Sequence, residues 1–167
     1  MIALWLLLAG CGGSGPAPVD ASPEAIGDAD CAVCDMTVAD QPAPHGQVVF
    51  RDGSHHFLCS LGDLRAYVQA PNPLGAPVAV YVQVLPPDFD PSTRMKGPLP
   101  WKPAGEAWYV PVPGRKLVMG IPLASFAAKA DAEAFAGARH EPVFGWKALV
   151  ATPFSKLPSD DGAPGHP

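Results

Sequence analysis

Hydrophobic positions along this chain fall into short runs separated by turn residues, and the runs follow the same order twice. The first series opens with a strand predicted over residues 47–50, a turn at Asp52-Gly53 and a second strand over 55–58. An Asp-Gly pair between two such runs is a strong hairpin signal. The period then becomes helical. Leu61, Leu64, Tyr67 and Val68 fall on one face of a helix predicted over 61–69. Ser60 stands where it can cap that helix, with Asp63 three residues on, close to a capping box. After Pro71-Asn72-Pro73, the run Val78-Ala79-Val80-Tyr81-Val82-Gln83-Val84 reads as a strand.

The second series predicts a strand over 107–112, a turn at Pro113-Gly114 and a strand over 116–119. A helix follows within 124–138, anchored by Phe126 and Phe135, and a last strand near 142–150. The expected fold class is therefore α+β: two small β-β-α-β modules in tandem, each a short antiparallel sheet with one helix. The repeat rests on element order alone, because the halves share little sequence identity. The expected modules are residues 30–86 and 106–155, joined by a Pro-rich connector over 87–105. Residues 12–29, rich in Gly, Ser, Pro and Ala, read as a flexible tether, and 156–167 as a disordered tail.

Composition narrows the function. The chain of 167 residues has 22 prolines and 17 glycines, which favours short strands and many turns over long helices. Its net charge is −5 and it has no cluster of Lys and Arg, so no nucleic-acid partner is expected, since phosphate neutralisation needs a basic footprint. No Gly-rich phosphate loop, nucleophile elbow or paired-carboxylate motif is present, and no enzyme activity is expected. The apolar run from Ile2 to Leu8 is far short of the roughly 20 residues that span a bilayer, but it suits the core of a signal peptide. It ends in Leu8-Ala9-Gly10-Cys11, which looks like a lipoprotein cleavage site with Cys11 as the acylated residue over a 1–11 signal. Several acyl chains, at about 0.8 kcal/mol per buried methylene, make a durable membrane anchor.

The densest chemistry lies in Cys31-Ala32-Val33-Cys34-Asp35-Met36. With Cys11 acylated, Cys31, Cys34 and Cys59 remain, an odd number that argues against a purely structural disulfide framework. Cys31 and Cys34 fit a redox dithiol, half of a zinc site, or a Cu(I) site. A thioredoxin-like pair should open a helix after a strand, and no strand is expected before it. Zinc needs two further ligands, which Cys59 and the His55-His56 pair could supply. Met36 favours Cu(I), because a thioether is a soft donor. His55 and His56, adjacent on a strand, point to opposite faces, so only one can reach a common site. Cys59 reads equally as a third thiol or a small buried hydrophobe. Met119, before Gly120 at a strand exit, reads equally as a ligand or a core residue, and Met95, flanked by charges, as a surface residue.

These residues resemble the NosL family of copper-binding accessory lipoproteins of nitrous oxide reductase. The resemblance runs from Cys11 and the Cys-x-x-Cys-x-Met motif through the Phe50-Arg51-Asp52-Gly53 turn and the Leu64-Tyr67 helix. It continues through Trp108-Tyr109-Val110 and Met119-Gly120 to Phe126 and the alanine-rich segment before Phe135. It implies two β-β-α-β modules, a Cu(I) cargo, and copper delivery for maturation of nitrous oxide reductase. The implied partners are that enzyme and a membrane copper-transfer complex of the ABC type. The implied ligands are Cys34, Met36 and Met119; Cys31, Cys59, His55 and His56 stay secondary candidates on their residue types alone. The family motif usually carries Gly where this chain has Asp35. The implied location is the periplasmic face of a bacterial membrane. Gly12, rather than Asp, after Cys11 points by analogy to the outer membrane.

Overall fold

The computed structural model describes residues 19–113 and 122–157. Its first sheet is antiparallel with four strands in the order β2-β1-β3-β4: β1 is Gly46–Val49, β2 His55–Leu58, β3 Ala79–Gln83 and β4 Trp101–Pro103. The predicted hairpin joins β1 to β2. Phe50 and Ser54 close it, the Gly53 N–H donates to the Phe50 carbonyl at 3.0 Å, and Gly53 takes the left-handed φ of 84° that the turn needs. Helix α1, Leu61–Gln69, matches its predicted bounds. The Ser60 hydroxyl accepts from the Asp63 N–H at 3.0 Å and donates to the Asp63 carboxylate at 2.8 Å. Leu61 and Leu64 are fully buried, with Tyr67 and Val68 half-buried beside them. The helix lies so close to β1 that a Cβ on Gly46 would stand 2.8 Å from a Leu64 methyl.

The second sheet is antiparallel in the order β6-β5-β7, with β5 Trp108–Pro111, β6 Leu123–Phe126 and β7 Phe144–Gly145. Both sheets are thus short and antiparallel, as the α+β reading expects. The details of the second half differ. Residues 124–126, read as the start of a helix, belong instead to a run that alternates: Leu123 faces the first core while Ala124 and Phe126 face the second. They form β6, and helix α2 starts only at Lys129, running Lys129–Gly137. The last predicted strand, 142–150, is a strand only at β7. Trp146–Ala151 forms helix α3, which sets Trp146 and Leu149 three residues apart on one face against the first core. A short apolar run does not by periodicity alone distinguish a strand from a helix. The strand predicted over 116–119 lies outside the described residues.

Three segments read as linkers carry structure. The stretch read as a connector contains β4, a buried Phe89 stacked 6.0 Å from Phe135, and Met95, which is half-buried against the second core rather than at the surface. The stretch read as a tether is fastened where described: buried Gln47 accepts from the Glu24 N–H at 2.9 Å and donates to the Glu24 carbonyl at 3.0 Å. Ile26 and Ala29 pack on the first core, and Leu157, in the stretch read as a tail, is buried in it. Among the described residues no helix is long and apolar enough to cross a membrane.

The two cores meet at the second sheet. Tyr109 and Leu123 face the first, while Val110, Ala124 and Phe126 face the second. Arg65 ties α1 to α3 across the chain. Its Nε donates to the Leu149 carbonyl at 2.9 Å, and Nη2 donates to the carbonyls of Val150, at 3.4 Å, and Thr152. Those carbonyls lie at or just beyond the end of α3, where helical donors run out; Leu149 also accepts from the Thr152 N–H at 3.3 Å and Val150 from the Gln69 side chain at 3.0 Å. The ring of Phe154 covers the guanidinium at 3.9 Å. Arg65→Ala removes a donor from each of these carbonyls and opens a void. It is expected to lower stability by about 3 kcal/mol, read as a drop in urea midpoint at constant m-value. Arg65→Lys, lacking the planar fork, should recover less than half of that.

Candidate metal centre

The Cys31 to Met36 motif forms a closed backbone knuckle. The Cys31 N–H donates to the Met36 carbonyl at 2.9 Å, the Asp35 N–H donates to the Cys31 carbonyl at 2.9 Å, and Asp30 and Thr37 bridge the base. Asp35 closes the turn with a left-handed φ of 57°. Glycine adopts that conformation freely, while Asp is among the few other residues that tolerate it. The knuckle lies along β2: the Ala32 N–H donates to the Phe57 carbonyl at 2.9 Å.

Strand β2 ends at Leu58 and the α1 cap is Ser60, so Cys59 stands alone at the junction. That brings it to the knuckle. The sulfurs of Cys31, Cys34 and Cys59 all lie within 4.8 Å of one another, and all three cysteines are free. Cys34 and Cys59 are 3.6 Å apart, and the Cys59 N–H donates to the Cys31 sulfur at 3.4 Å. A metal with bonds of about 2.3 Å to three sulfurs in one plane spaces them about 4 Å apart, so the cluster already has the dimensions of such a site. Three thiols form a soft donor set.

The three thiols differ in access and acidity. Cys31 is 1% exposed, Cys59 5%, and Cys34 half-buried. Burial pushes Cys31 up, but backbone N–H groups of Val33, Cys59 and Cys34 aimed at its sulfur outweigh it, and the net shift is downward. Burial pushes Cys34 up, and the Met36 N–H only partly offsets it. Cys59 is driven up strongly by burial, then by the two neighbouring sulfurs and the Asp63 carboxylate.

Of the residues singled out in the sequence, Cys31, Cys34 and Cys59 come together, and Met36 lies half-buried against the same core. His55 and His56 go elsewhere. His55 Nδ1 lies 3.4 Å from the Gln47 side chain and Nε2 3.5 Å from the Glu24 carboxylate, while His56 Nδ1 lies 2.6 Å from the Tyr67 hydroxyl. Cys11 and Met119 lie outside the described residues. Two neighbours of the cluster carry no metal-site signal in the sequence. The Asp63 carboxylate accepts from the Cys59 thiol at 3.4 Å, and the buried His45 holds the Cys59 carbonyl at 3.2 Å through Nδ1. Asp63 was legible as a capping residue; for His45 the sequence offers no signal. The CxxC pair does not open a helix: it sits on a turn over 32–34, followed by a single 3-10 turn at Val38–Asp40. It therefore lacks the helix N-terminus that commonly activates redox dithiols.

Fold and site together define a small α+β protein whose distinguishing chemistry is a soft, sulfur-rich donor cluster at a strand–helix junction. The sequence profile of the NosL family matches residues 24–148. A copper-binding lipoprotein NosL from Stutzerimonas stutzeri is 33% identical over 139 residues, covering 78% of this chain and 67% of that protein. The crystal structure of the copper chaperone NosL from Shewanella denitrificans superposes with a TM-score of 0.61 at 24% identity, covering 75% of this chain and 93% of that one. The solution structure of apo-NosL from Achromobacter cycloclastes gives 0.46 at 24% identity over 70% of this chain and 98% of that one. The chain belongs to the NosL family. These relatives are named for copper binding and copper chaperoning, not for catalysis.

Two outcomes test this geometry. Among the described cysteines, Cys34 is expected to alkylate first with iodoacetamide at neutral pH, followed by peptide mass spectrometry, because access outweighs the lowered acidity of buried Cys31. Asp35→Val is expected to cost about 1–2 kcal/mol, while Asp35→Gly stays within about 0.5 kcal/mol of the parent, both read by chemical denaturation.

Proposed function

We propose that this chain is a Cu(I) metallochaperone, acylated at Cys11 and held at the periplasmic face of a bacterial outer membrane. It delivers copper for maturation of nitrous oxide reductase, in exchange with a membrane copper-transfer complex of the ABC type. The observation that carries this reading is the convergence of three free thiols at one strand–helix junction. Copper is cargo here, so the protein must hold it firmly and also release it. Cys34 suits the central role, because it belongs to the thiol cluster and is also its most accessible member. Met36, two residues on, supplies a neutral soft donor, and Met119 a second. Thioethers hold Cu(I) without added charge, so partner sulfurs can replace them one at a time. The name of the Stutzerimonas stutzeri relative, a copper-binding lipoprotein, supports both the cargo and the anchor.

A zinc-stabilised module fits less well. A structural zinc site normally takes four protein ligands, and among the described residues the acidic neighbour Asp63 lies 3.4 Å from the Cys59 sulfur but not within 4.8 Å of all three sulfurs.

The test is a titration of Cu(I) into reduced full-length protein in competition with a chromophoric Cu(I) chelator. One tightly held equivalent is expected. Cys34→Ser is expected to weaken it at least about 100-fold, and Met36→Leu and Met119→Leu about 10-fold each, the range in which site substitutions usually act. No competition with the chelator removes copper from the account. Insulin-reducing activity that depends on Cys31 and Cys34 would replace it with a thiol-disulfide oxidoreductase.

A further inference from the structure

The three-thiol cluster contains one more thiol than a single disulfide uses, and it brings together a close sulfur pair other than the one that the CxxC motif suggests. Cys34 and Cys59 stand 3.6 Å apart with 24 residues between them in the chain. We propose that Cys34 and Cys59 form a reversible disulfide that closes the site to Cu(I), making loading of the chaperone depend on thiol redox state. This rests on the reading of the cluster as a copper site.

The geometry favours this pair on three counts. A disulfide holds its sulfurs about 2.05 Å apart, so closure needs a modest approach from 3.6 Å. Cys34 sits on the half-buried side of the knuckle, where a disulfide oxidant can reach it, whereas Cys31 is 1% exposed. The Cys31 sulfur is also engaged by the Cys59 N–H at 3.4 Å, a bond that forming a Cys31 disulfide would disturb. The Cys59 thiol faces the Cys34 sulfur at 3.6 Å and donates to the Asp63 carboxylate at 3.4 Å.

The oxidant is a disulfide R–S–S–R, either of a dithiol-oxidase protein or of a small thiol. The Cys34 sulfur attacks one sulfur of R–S–S–R, the S–S bond breaks, and R–SH leaves with the Cys34 proton. The Cys59 sulfur then attacks the Cys34 sulfur of the mixed disulfide, and a second R–SH leaves with the Cys59 proton. Two thiols lose two electrons, and one disulfide gains them. A dithiol reductant reverses the sequence. The oxidised pair has no thiolate left to offer, and Cys31 remains as a lone buried sulfur.

The test uses the full-length chain without metal, equilibrated in oxidised and reduced glutathione, with free thiols alkylated and the digest mapped by mass spectrometry. A Cys34–Cys59 crosslinked peptide, lost on reduction, is the expected product. Cu(I) binding by the same oxidised sample should fall at least about 100-fold, because metal binding needs deprotonated thiols, and return on treatment with a phosphine reductant. A dominant Cys31–Cys34 crosslink, or no crosslink while the reduced protein holds Cu(I), overturns the redox proposal and leaves the chaperone standing. A reduced protein that holds no Cu(I) overturns both. A Cys34–Cys59 crosslink that leaves Cu(I) affinity unchanged overturns the gate alone.

Discussion

A polar group taken out of water needs a partner, and four buried polar side chains in this fold find partners on distant stretches of chain, with Arg65 Nη1 the one buried side-chain nitrogen left unpaired among the described residues. Gln47 on β1 is satisfied by the backbone of Glu24. Gln83 on β3 accepts from the His45 N–H through its side chain, and its carbonyl accepts from the hydroxyl of Ser125 on β6. Arg65 on α1 closes the far end of α3. Each of these bonds pins a segment with little secondary structure of its own, or joins one sheet to the other. An unmet amide or guanidinium in the interior costs on the order of 1–3 kcal/mol, more when charged. The assembly of the two halves depends on these bonds as much as on apolar area.

The site is a by-product of the same economy at the β2–α1 junction. The Ser60–Asp63 cap fixes the first turn of α1, and the end of β2 is fixed by pairing with β1. Cys59 is the single residue left between strand and cap. Its backbone is held on both sides, by His45 at the carbonyl and by the Cys31 sulfur at the N–H. Rigid placement of this kind lets three sulfurs converge without a disulfide between them. The knuckle contributes its two thiols from a turn only six residues long, so neither can drift far from the other.

Much of the first half was legible from the sequence. The Asp52-Gly53 turn, the strand after it, and both ends of α1 follow from local chemistry, namely turn preference, alternation and capping, and the structure matches them. The second half was less legible. Leu123–Phe126 and Trp146–Ala151 are segments of four and six residues, too short for their period alone to decide between strand and helix, and only their neighbours settle which. Trp101–Pro103 was hidden among prolines. It is an edge strand, where proline is tolerated because one side of the strand needs no ladder bond.

By itself, the sequence determined the elements whose signals are local, the α+β class, and the presence of soft donors in the Cys31 to Met36 motif. Tertiary structure decided which candidates meet. Cys59 joins Cys31 and Cys34, while His55 and His56 turn to Glu24, Gln47 and Tyr67 instead. The reason is one of range. Turn, cap and period are set by residues within a few positions of each other. The meeting of Cys34 with Cys59 depends on where the knuckle lies along β2, and that follows from the packing of the whole first core.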